Sequence, residues 1–402
     1  MSNHDPNQSV IGLLGHMVQI DTVNSNVSGR PAAERPLAES LEKLAKNWGL
    51  TTQRLPVDDL DDSFNLLITL PSDSRPEEKP WLLFESHMDV VSVAGMDFDP
   101  FCAKIENGKM LGRGTSDTKA SGAAMLQTLK ELLTDSSERP NNCALLFVID
   151  EEISKRGIRS YCEHGIEQNT WRPNLAIVGE PTLLAPVIAH NGVARVNICT
   201  HGQPAHSSRP ERGHSAISSM MRVIDHFEQN YIPQLTAGHP LTGKARSSIN
   251  LIQGGKQINI IPDLCEIGLD RRIVPGEDHA RIIDELEKEL EKIRQAHPEI
   301  KAELKDDYFL DPPMQPLAEP LLESYLKTPL SKYDIPSPPR GEAYGTDGSN
   351  LTDIGIPTFV LGPGDIAQAH TTDEWIALDQ VTLAAQVYKD LALTPLPRTS
   401  SS

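Results

Sequence analysis

Apolar positions in the first half of the chain follow two alternating periods, one typical of helices and one typical of buried strands. Helical spacing predicts amphipathic helices over residues 9–20 and 36–48. Short apolar runs predict strands over residues 65–70, 81–85, 144–149 and 175–178, with helices over 120–133 and 158–163 between them. Because strands and helices alternate, the predicted fold class is α/β, with a mixed, largely parallel sheet flanked by helices.

The pattern changes near residue 192. Strands are predicted over residues 193–199, 247–252 and 264–271, and helices over 214–228 and 280–296. An order of strand, helix, strand, strand, helix and strand predicts an antiparallel sheet with helices on one face, hence a small α+β, ferredoxin-like domain.

The first pattern resumes after a Pro-rich stretch at residues 311–320, with an apolar strand over 358–361. We therefore predict a discontinuous α/β domain, residues 1–191 and 309–402, that contains residues 192–308 as an insertion. The tail, residues 394–402, is rich in Pro, Ser and Thr and is predicted to be disordered.

Composition narrows the class of protein. A chain of 402 residues is long enough for two domains, and 38% hydrophobic with 23% charged residues is typical of a globular protein. The formal net charge of −19 argues against nucleic acid or an anionic membrane as a partner, because both bind clustered Lys and Arg. No apolar run approaches the length of a membrane span.

Cysteine usage and the first residues indicate a compartment. The 5 cysteines are an odd number, widely spaced and without a C-x-x-C pair, so we expect reduced, mostly buried thiols. The N-terminal residues have no basic region followed by an apolar stretch, so they predict no secretory signal. We therefore expect a cytoplasmic protein.

Five residues in separate local motifs could close a two-metal site. They are His87 in S-H-M-D-V, Asp117 in G-R-G-T-S-D-T-K, Glu152 in I-D-E-E, Glu180 in V-G-E-P-T and His370 in Q-A-H-T-T-D-E-W. Two imidazoles and three carboxylates suit zinc, and also cobalt or manganese. With one bridging carboxylate, each metal has three protein ligands and an open position for water, as in a hydrolase. Several of these residues follow predicted strands, where open α/β sheets build their sites.

Each motif also has a plainer interpretation. These are a surface hydrogen bond for His87 and Asp89, a helix cap for Asp117, a solvated acidic turn for residues 150–152, a proline turn after Glu180 and a loop position for His370. Joint placement and matching chemistry favour the metal site. If Glu152 binds metal, Glu151 should face the water at the metal and act as general base. Asp89 could then accept the other ring N–H of His87 and fix its tautomer.

Together these motifs resemble those of the acetylornithine deacetylase and succinyl-diaminopimelate desuccinylase family of zinc aminoacylases, which is related to glutamate carboxypeptidases. The resemblance covers nearly the whole chain and implies two zinc ions per subunit. The implied roles are Asp117 as the bridge, His87 and Glu180 on one zinc, Glu152 and His370 on the other, Glu151 as general acid and base, and Asp89 as the residue that orients His87. The family often has a second acid where this chain has Thr118. The resemblance also implies a non-proline cis peptide bond at Asp117–Thr118.

The resemblance also gives the inserted domain a role as a lid and dimerisation domain of a homodimer. His206 in Q-P-A-H-S-S would reach the site of the partner subunit and stabilise the tetrahedral oxyanion. Asn259 in Q-I-N-I-I-P matches a family asparagine, and Arg272 in D-R-R-I-V-P-G would pair with a substrate carboxylate. Gly345 and Thr346 in Y-G-T-D would line the pocket. Without the resemblance, His206 is an ordinary loop histidine and Arg272 a surface ion pair.

The predicted function is hydrolysis of the amide bond of N-acyl amino acids, with water at the metal as nucleophile and Glu151 as general base. The expected partner is a small N-acyl amino acid or dipeptide, and neither nucleic acid nor membrane. A dipeptidase, a carboxypeptidase or a succinyl-diaminopimelate desuccinylase could use the same site. A non-catalytic binding protein on the same fold is a third hypothesis, and the intact base Glu151 argues against it.

Overall fold

The computed structural model describes residues 5–396 except 59, 61, 136–137, 334 and 336–338, and it separates into two units. The first unit comprises the chain up to Ile188, residues 316–340 and the chain from Thr346 onward, and the second comprises residues 189–315 and 341–345. The predicted insertion, residues 192–308, lies within the second unit, which is wider at both ends.

An eight-stranded mixed sheet lies mostly in the first unit, and residues 189–190 and 341–342 of its last two strands belong to the second. In spatial order its strands are Thr51–Pro56, Phe64–Leu70, Asn142–Val148, Trp81–His87, Leu175–Val178, Thr358–Val360, Val187–His190 and Arg340–Glu342. The third to sixth of these strands are parallel to one another, and the strands on either side pair with them antiparallel. The side chains of the four parallel strands are almost all buried, which explains why these strands appear in the sequence as continuous apolar runs.

Helices cover this sheet. They are Val10–Val18, Ser25–Ser28, Arg35–Trp48, Lys119–Thr134, Arg156–Ser160, Glu319–Leu321, Lys327–Ser331, Gly348–Asp353 and Leu378–Leu393, with π-helical turns at Tyr161–Gly165 and Leu322–Leu326. Short 3₁₀ turns lie at Pro76–Glu78 and Ile366–Gln368, and a three-stranded sheet is formed by Lys104–Glu106, Lys109–Leu111 and Trp375–Ala377.

The helix Lys119–Thr134 approaches the central strands closely at its start, where residues 120–124 are all small and buried. A Cβ atom at Gly122 would lie 2.6 Å from Phe147 Cε1 and 2.9 Å from Ser86 Oγ. Only glycine therefore permits this approach, which brings the start of the helix to the end of the strand Trp81–His87.

The second unit is an antiparallel sheet with two helices. Across it the strands run Arg246–Gly254, Leu264–Ile273 and Gly192–His201, and Lys301–Leu304 and Phe309–Asp311 both pair with the outer side of Gly192–His201. The helices Ala216–His226 and Ile282–Ala296 pack on the face where alternate side chains of Leu264–Ile273 are buried. A π-helical turn at Phe227–Tyr231, 3₁₀ turns at Pro210–Arg212, Ile232–Gln234 and His279–Arg281, and a small hairpin of Gly238–His239 with Gly243–Lys244 complete this unit.

The predicted fold class is confirmed: the chain has a mixed α/β fold with a large, centrally parallel sheet flanked by helices. All five cysteines are free thiols. In the described part of the chain, no helix is long and apolar enough to cross a membrane. In the predicted tail, Leu396 is buried and its N–H donates to Asn141 Oδ1 at 3.1 Å, while residues 397–402 lie outside the described residues.

Candidate metal centre and active site

Four of the five predicted metal ligands follow parallel strands at one edge of the eight-stranded sheet. His87 ends the strand Trp81–His87 and lies opposite Val148 of the neighbouring strand, which leads into Glu152. Glu180 follows the strand Leu175–Val178 on the other side, and His370 follows Thr358–Val360 beyond it. Carboxyl ends of parallel strands meet at one edge, and this brings the four side chains together.

Asp117 reaches the same edge from the turn before the helix Lys119–Thr134. The predicted non-proline cis peptide bond at Asp117–Thr118 is confirmed. The hydroxyl of Thr118 donates to the carbonyl of Gly179, next to Glu180. Thr118 therefore ties this turn to the neighbouring strand end.

The carboxylate of Asp117 lies between the two histidines. Its Oδ1 is 3.1 Å from Nε2 of His87, and its Oδ2 is 3.3 Å from Nε2 of His370. On one side Glu180 Oε1 is 3.7 Å from the same His87 nitrogen, and on the other Glu152 Oε2 is 3.0 Å from that of His370. One carboxylate thus faces a histidine and glutamate pair on each side, which is the arrangement that a bridging ligand requires.

The site has a buried side and an open side. The side chains of His87 and Glu180 are 2% and 8% exposed, whereas that of His370 is 56% exposed. The site is therefore open to solvent at His370.

Asp89 supports the site mainly by holding the acidic turn that follows the strand Asn142–Val148. Its Oδ1 accepts the N–H of Glu151 at 3.0 Å, and its Oδ2 accepts the N–H of Glu152 at 3.1 Å. The ring of His87 makes its shorter contact to the main chain of this residue: Nδ1 is 3.0 Å from the carbonyl oxygen of Asp89 and 3.5 Å from Oδ1. Asp89 thus connects His87 to the two glutamates.

Asn24, which the motifs do not include, bridges two of the buried acids. Its Nδ2 donates to Asp89 Oδ2 and to Asp150 Oδ1, each at 2.9 Å. Asn24 is itself buried. Sequence reasoning could not find it, because it lies 126 positions from Asp150 and belongs to no recognisable motif.

Glu151 lies beside a buried lysine. Lys155 Nζ is 3.6 Å from Glu151 Oε1, and the lysine side chain is 7% exposed. Two further buried acids, Glu85 and Asp347, interact electrostatically with this pair, and burial raises the pKa of Glu85 to about 8 and that of Asp347 well above its ordinary value. Lys155 supplies positive charge to this acidic region, and it lowers the cost of an ionised Glu151.

The electrostatics of the site favour positive charge at its centre. Burial, and then the charge of Asp117, raises the pKa of Glu152 to about 8. Hydrogen bonds to Asp117 and Glu152 raise the pKa of His370 to about 10. Burial acts against a proton on His87, but bonds to Asp117 and Asp89 raise its pKa well above the ordinary value. The buried carboxylates thus repel one another, and together they attract cations.

These residues fit a metal ion. Ligand atoms of His87, Asp117 and Glu152 all lie within 4.8 Å of one another, and so do those of His87, Glu151 and Glu180. Glu152 Oε1 is buried and has no hydrogen-bond partner among the described residues. Imidazole and carboxylate donors at this spacing form a candidate metal site, and Glu151 lies at it.

The remaining predicted residues lie on other segments of the chain. Thr346, at the start of the first unit's last segment, is buried, and its Oγ1 accepts the N–H of Gly348 at 3.1 Å. Gly345 is half-buried at the end of the second unit. His206, Asn259 and Arg272 belong to the second unit.

Within the second unit, His206 and Asn259 are neighbours on adjoining loops. The N–H of Ser207 donates to the carbonyl of Asn259 at 3.0 Å, and His206 is exposed. Arg272 is 35% exposed, and its Nε donates to Asp270 Oδ1 at 2.7 Å. The adjacent Arg271 is buried and paired with Glu277 at 2.5 Å. The side chain of Arg271 is therefore enclosed, whereas that of Arg272 is accessible to solvent.

Comparison with known proteins agrees with this geometry. The model of peptidase family M20/M25/M40 matches residues 83–394. Acetylornithine deacetylase of Edwardsiella ictaluri (strain 93-146) is 30% identical over 391 residues, which cover 92% of this chain and 94% of that protein.

Two solved structures share the fold. The M20 family metallo-carboxypeptidase Sso-CP2 of Sulfolobus solfataricus has a TM-score of 0.78 and 18% identity, over 96% of this chain and 99% of that one. A dinuclear metal-binding M20 peptidase of Bacillus subtilis has a TM-score of 0.67 and 16% identity, over 96% and 98%.

Fold, site and relatives define a metal-dependent hydrolase. The chain belongs to peptidase family M20/M25/M40, and the resemblance found in the sequence motifs is confirmed.

Proposed function

We propose that this enzyme hydrolyses the amide bond of N-acyl amino acids, as an acetylornithine deacetylase-like deacylase. The observation that supports this most is the carboxylate of Asp117 facing a histidine and glutamate pair on each side, with Glu151 beside them. The likeness to acetylornithine deacetylase over nearly the full length of both chains supports the substrate class. Free cysteines support a cytoplasmic location.

We assign two divalent metal ions to the site, zinc being the best match to its mixed nitrogen and oxygen donors. Asp117 would bridge them, with His87 and Glu180 on one ion and Glu152 and His370 on the other. When bound, the ions polarise the scissile carbonyl and lower the pKa of water.

Glu151 is the proposed general base and acid. It takes a proton from the attacking water and later gives it to the leaving amine, so the products are a carboxylic acid and a free amino acid. Asp89 accepts its backbone N–H, and Lys155 lies 3.6 Å from its carboxylate. The first contact fixes the main chain of Glu151, and the second places a positive charge beside its carboxylate.

His206 is proposed to donate to the tetrahedral oxyanion. The N–H of Ser208 donates to its Nδ1 at 3.1 Å. A neutral imidazole that accepts at Nδ1 carries its proton on Nε2, which leaves the exposed Nε2–H as a donor. Asn259 lies on the adjoining loop and is proposed to contact substrate with it.

Arg272 is proposed to bind the substrate carboxylate. Its Nε–H bond to Asp270 fixes the guanidinium plane while the side chain stays partly exposed. A fixed guanidinium can pair with a carboxylate through two parallel N–H donors. Gly345 and Thr346 would contribute to the pocket wall through their backbone.

We further propose a homodimer joined through the second unit. Its strand Arg246–Gly254 is the edge strand of the sheet and exposes Leu251 and Ile252 to 64% and 58%. The helix Ala216–His226 exposes Met221 to 65%. Unpaired edge strands with apolar side chains favour pairing with a second copy.

A substrate panel tests the proposal. Purified protein loaded with zinc or cobalt is assayed with N-acetyl and N-succinyl amino acids and with dipeptides, with metal-depleted protein as the control. We expect kcat/KM for at least one N-acyl amino acid to exceed that for every dipeptide by about tenfold or more. A higher kcat/KM for a dipeptide than for every N-acyl amino acid would favour the peptidase alternative, which is the activity named for the metallo-carboxypeptidase of similar fold. Absence of turnover on the whole panel would contradict the proposed function.

A further inference from the structure

Glu374 is a buried acid whose carboxylate holds the turn that carries Asp117. Its side chain is 0% exposed. Oε1 accepts the N–H groups of Ser116 at 2.8 Å and Asp117 at 3.2 Å. Oε2 accepts the N–H of Gly114 at 3.0 Å and Nη1–H of Arg113 at 2.8 Å. Both oxygens of Glu374 are therefore used on a single turn.

These bonds act on the main chain of Asp117, whereas its side chain belongs to the site. The backbone N–H of Asp117 points to Glu374, while its carboxylate lies between His87 and His370. The side chain of Asp117 starts from the main chain that Glu374 holds. The position of the Asp117 carboxylate therefore depends on Glu374.

Glu374 also fixes the segment that carries His370. The carbonyl of Glu374 accepts the N–H of Gly112 at 3.1 Å, and the strand Trp375–Ala377 that follows pairs with Lys109–Leu111. One residue thus joins the two segments of chain that meet at the Asp117 and His370 contact.

The charge of Glu374 is compensated within the same turn. Arg113 supplies one positive charge, and its Nη2 donates to the carbonyl of Ser92 at 2.9 Å. Removing the carboxylate would leave backbone N–H groups of the turn and Nη1–H of Arg113 buried without their acceptor, which costs more than the ion pair contributes.

We propose that Glu374 is a positioning residue of the metal centre, which sets the geometry of Asp117 for binding metal on both sides. The inference rests on the proposed two-metal site. Outer groups that orient metal ligands typically change metal affinity by about 10–100-fold when substituted.

Zinc affinity, measured by competition with a chromophoric chelator, tests the inference in Glu374→Gln, Glu374→Ala and the control Asp373→Asn. Asp373 is the exposed neighbouring acid. We expect Glu374→Gln to bind zinc about 10–100-fold more weakly, with an altered absorption spectrum of its cobalt form, and Asp373→Asn to match wild type. If Glu374→Ala does not fold, Glu374→Gln decides, since it keeps the volume and one acceptor oxygen.

Two results separate the inference from the function on which it rests. Folded Glu374→Gln that binds zinc with wild-type affinity would overturn the role of Glu374, even if its metal-free form melts at a lower temperature. Wild-type protein that binds no zinc would instead overturn the proposed metal site.

Discussion

Nε2 of His370 lies 3.0 Å from Oε2 of Glu152, although 218 positions separate the two residues in the chain. Each follows a parallel strand of one sheet, so the fold brings them together at the edge where the strands end. The contact belongs to one half of the proposed metal site, and the matching half is His87 with Glu180. Asp117 faces both halves, whereas each of the other four ligands belongs to one half. Substitutions can therefore separate the roles of these residues.

Glu151→Gln should keep its metal and lose turnover. The carboxamide fills the same space beside Lys155 but cannot take a proton, so we expect kcat to fall by about two to four orders of magnitude. Asp117→Asn should lose metal as well, because Asp117 faces both histidines. Metal content by mass spectrometry, measured beside kinetics, checks both. Near wild-type turnover of Glu151→Gln would falsify its role as base.

The candidate ligands were easier to find in the sequence than the residues that hold them in place. Ligand residues follow apolar runs that periodicity recognises, and Leu175–Val178 has the predicted bounds. Strands such as Thr51–Pro56 and Lys104–Glu106 were missed because their side chains are mostly exposed and carry no apolar pattern. Glu374 stands in the motif quoted for His370, but its role was missed because its partner Asp117 is 257 positions away.

Arg272→Met should weaken the use of substrates that carry a free carboxylate. Loss of a charge-assisted pair predicts a fall in kcat/KM of about two to three orders of magnitude for N-acyl amino acids. Amidated substrates should show almost no further loss, because they lack the group that Arg272 binds. An equal loss on both substrate types would mean that Arg272 supports the strand Leu264–Ile273 and not the substrate.

Asn24→Leu should destabilise the first unit. Asn24 donates to Asp89 and Asp150, and without it two buried carboxylates share the space with no donor between them. We expect a loss of about 1–3 kcal/mol in the free energy of unfolding, with reduced activity because Asp89 holds the turn of Glu151. Denaturant unfolding of the metal-free protein measures it, with exposed Asn26→Leu as the control. Unchanged stability would mean that the acids find other donors.

Glu34 should make stability depend on pH. Burial, and then the charge of Asp89, raises the pKa of Glu34 to about 8, so the folded protein retains a proton that the unfolded chain releases near its ordinary value of 4.5. Stability should therefore fall as pH rises from about 4.5 to about 8 and then level off. Gln does not titrate, so Glu34→Gln should not lose this stability. Above pH 8 it should be more stable than wild type by about 1–3 kcal/mol. Melting temperatures of the metal-free protein across pH measure this effect, with Glu77→Gln as the exposed control. Parallel curves for wild type and Glu34→Gln would contradict the role of Glu34.

The proposed dimer predicts that two inactive variants restore activity in each other. If His206 acts in the site of the partner subunit, a mixed dimer of Glu151→Ala and His206→Ala subunits has one site with an intact Glu151 and a His206 from its neighbour. Random mixing makes about half of the dimers mixed, each with one working site, so about a quarter of wild-type activity should return. Co-expression with two different affinity tags isolates the mixed dimer, in which half of the sites should work, and each variant dimer is the control. If His206 acts within its own subunit, every site in the mixed dimer lacks one of the two groups, and the isolated mixed dimer stays inactive.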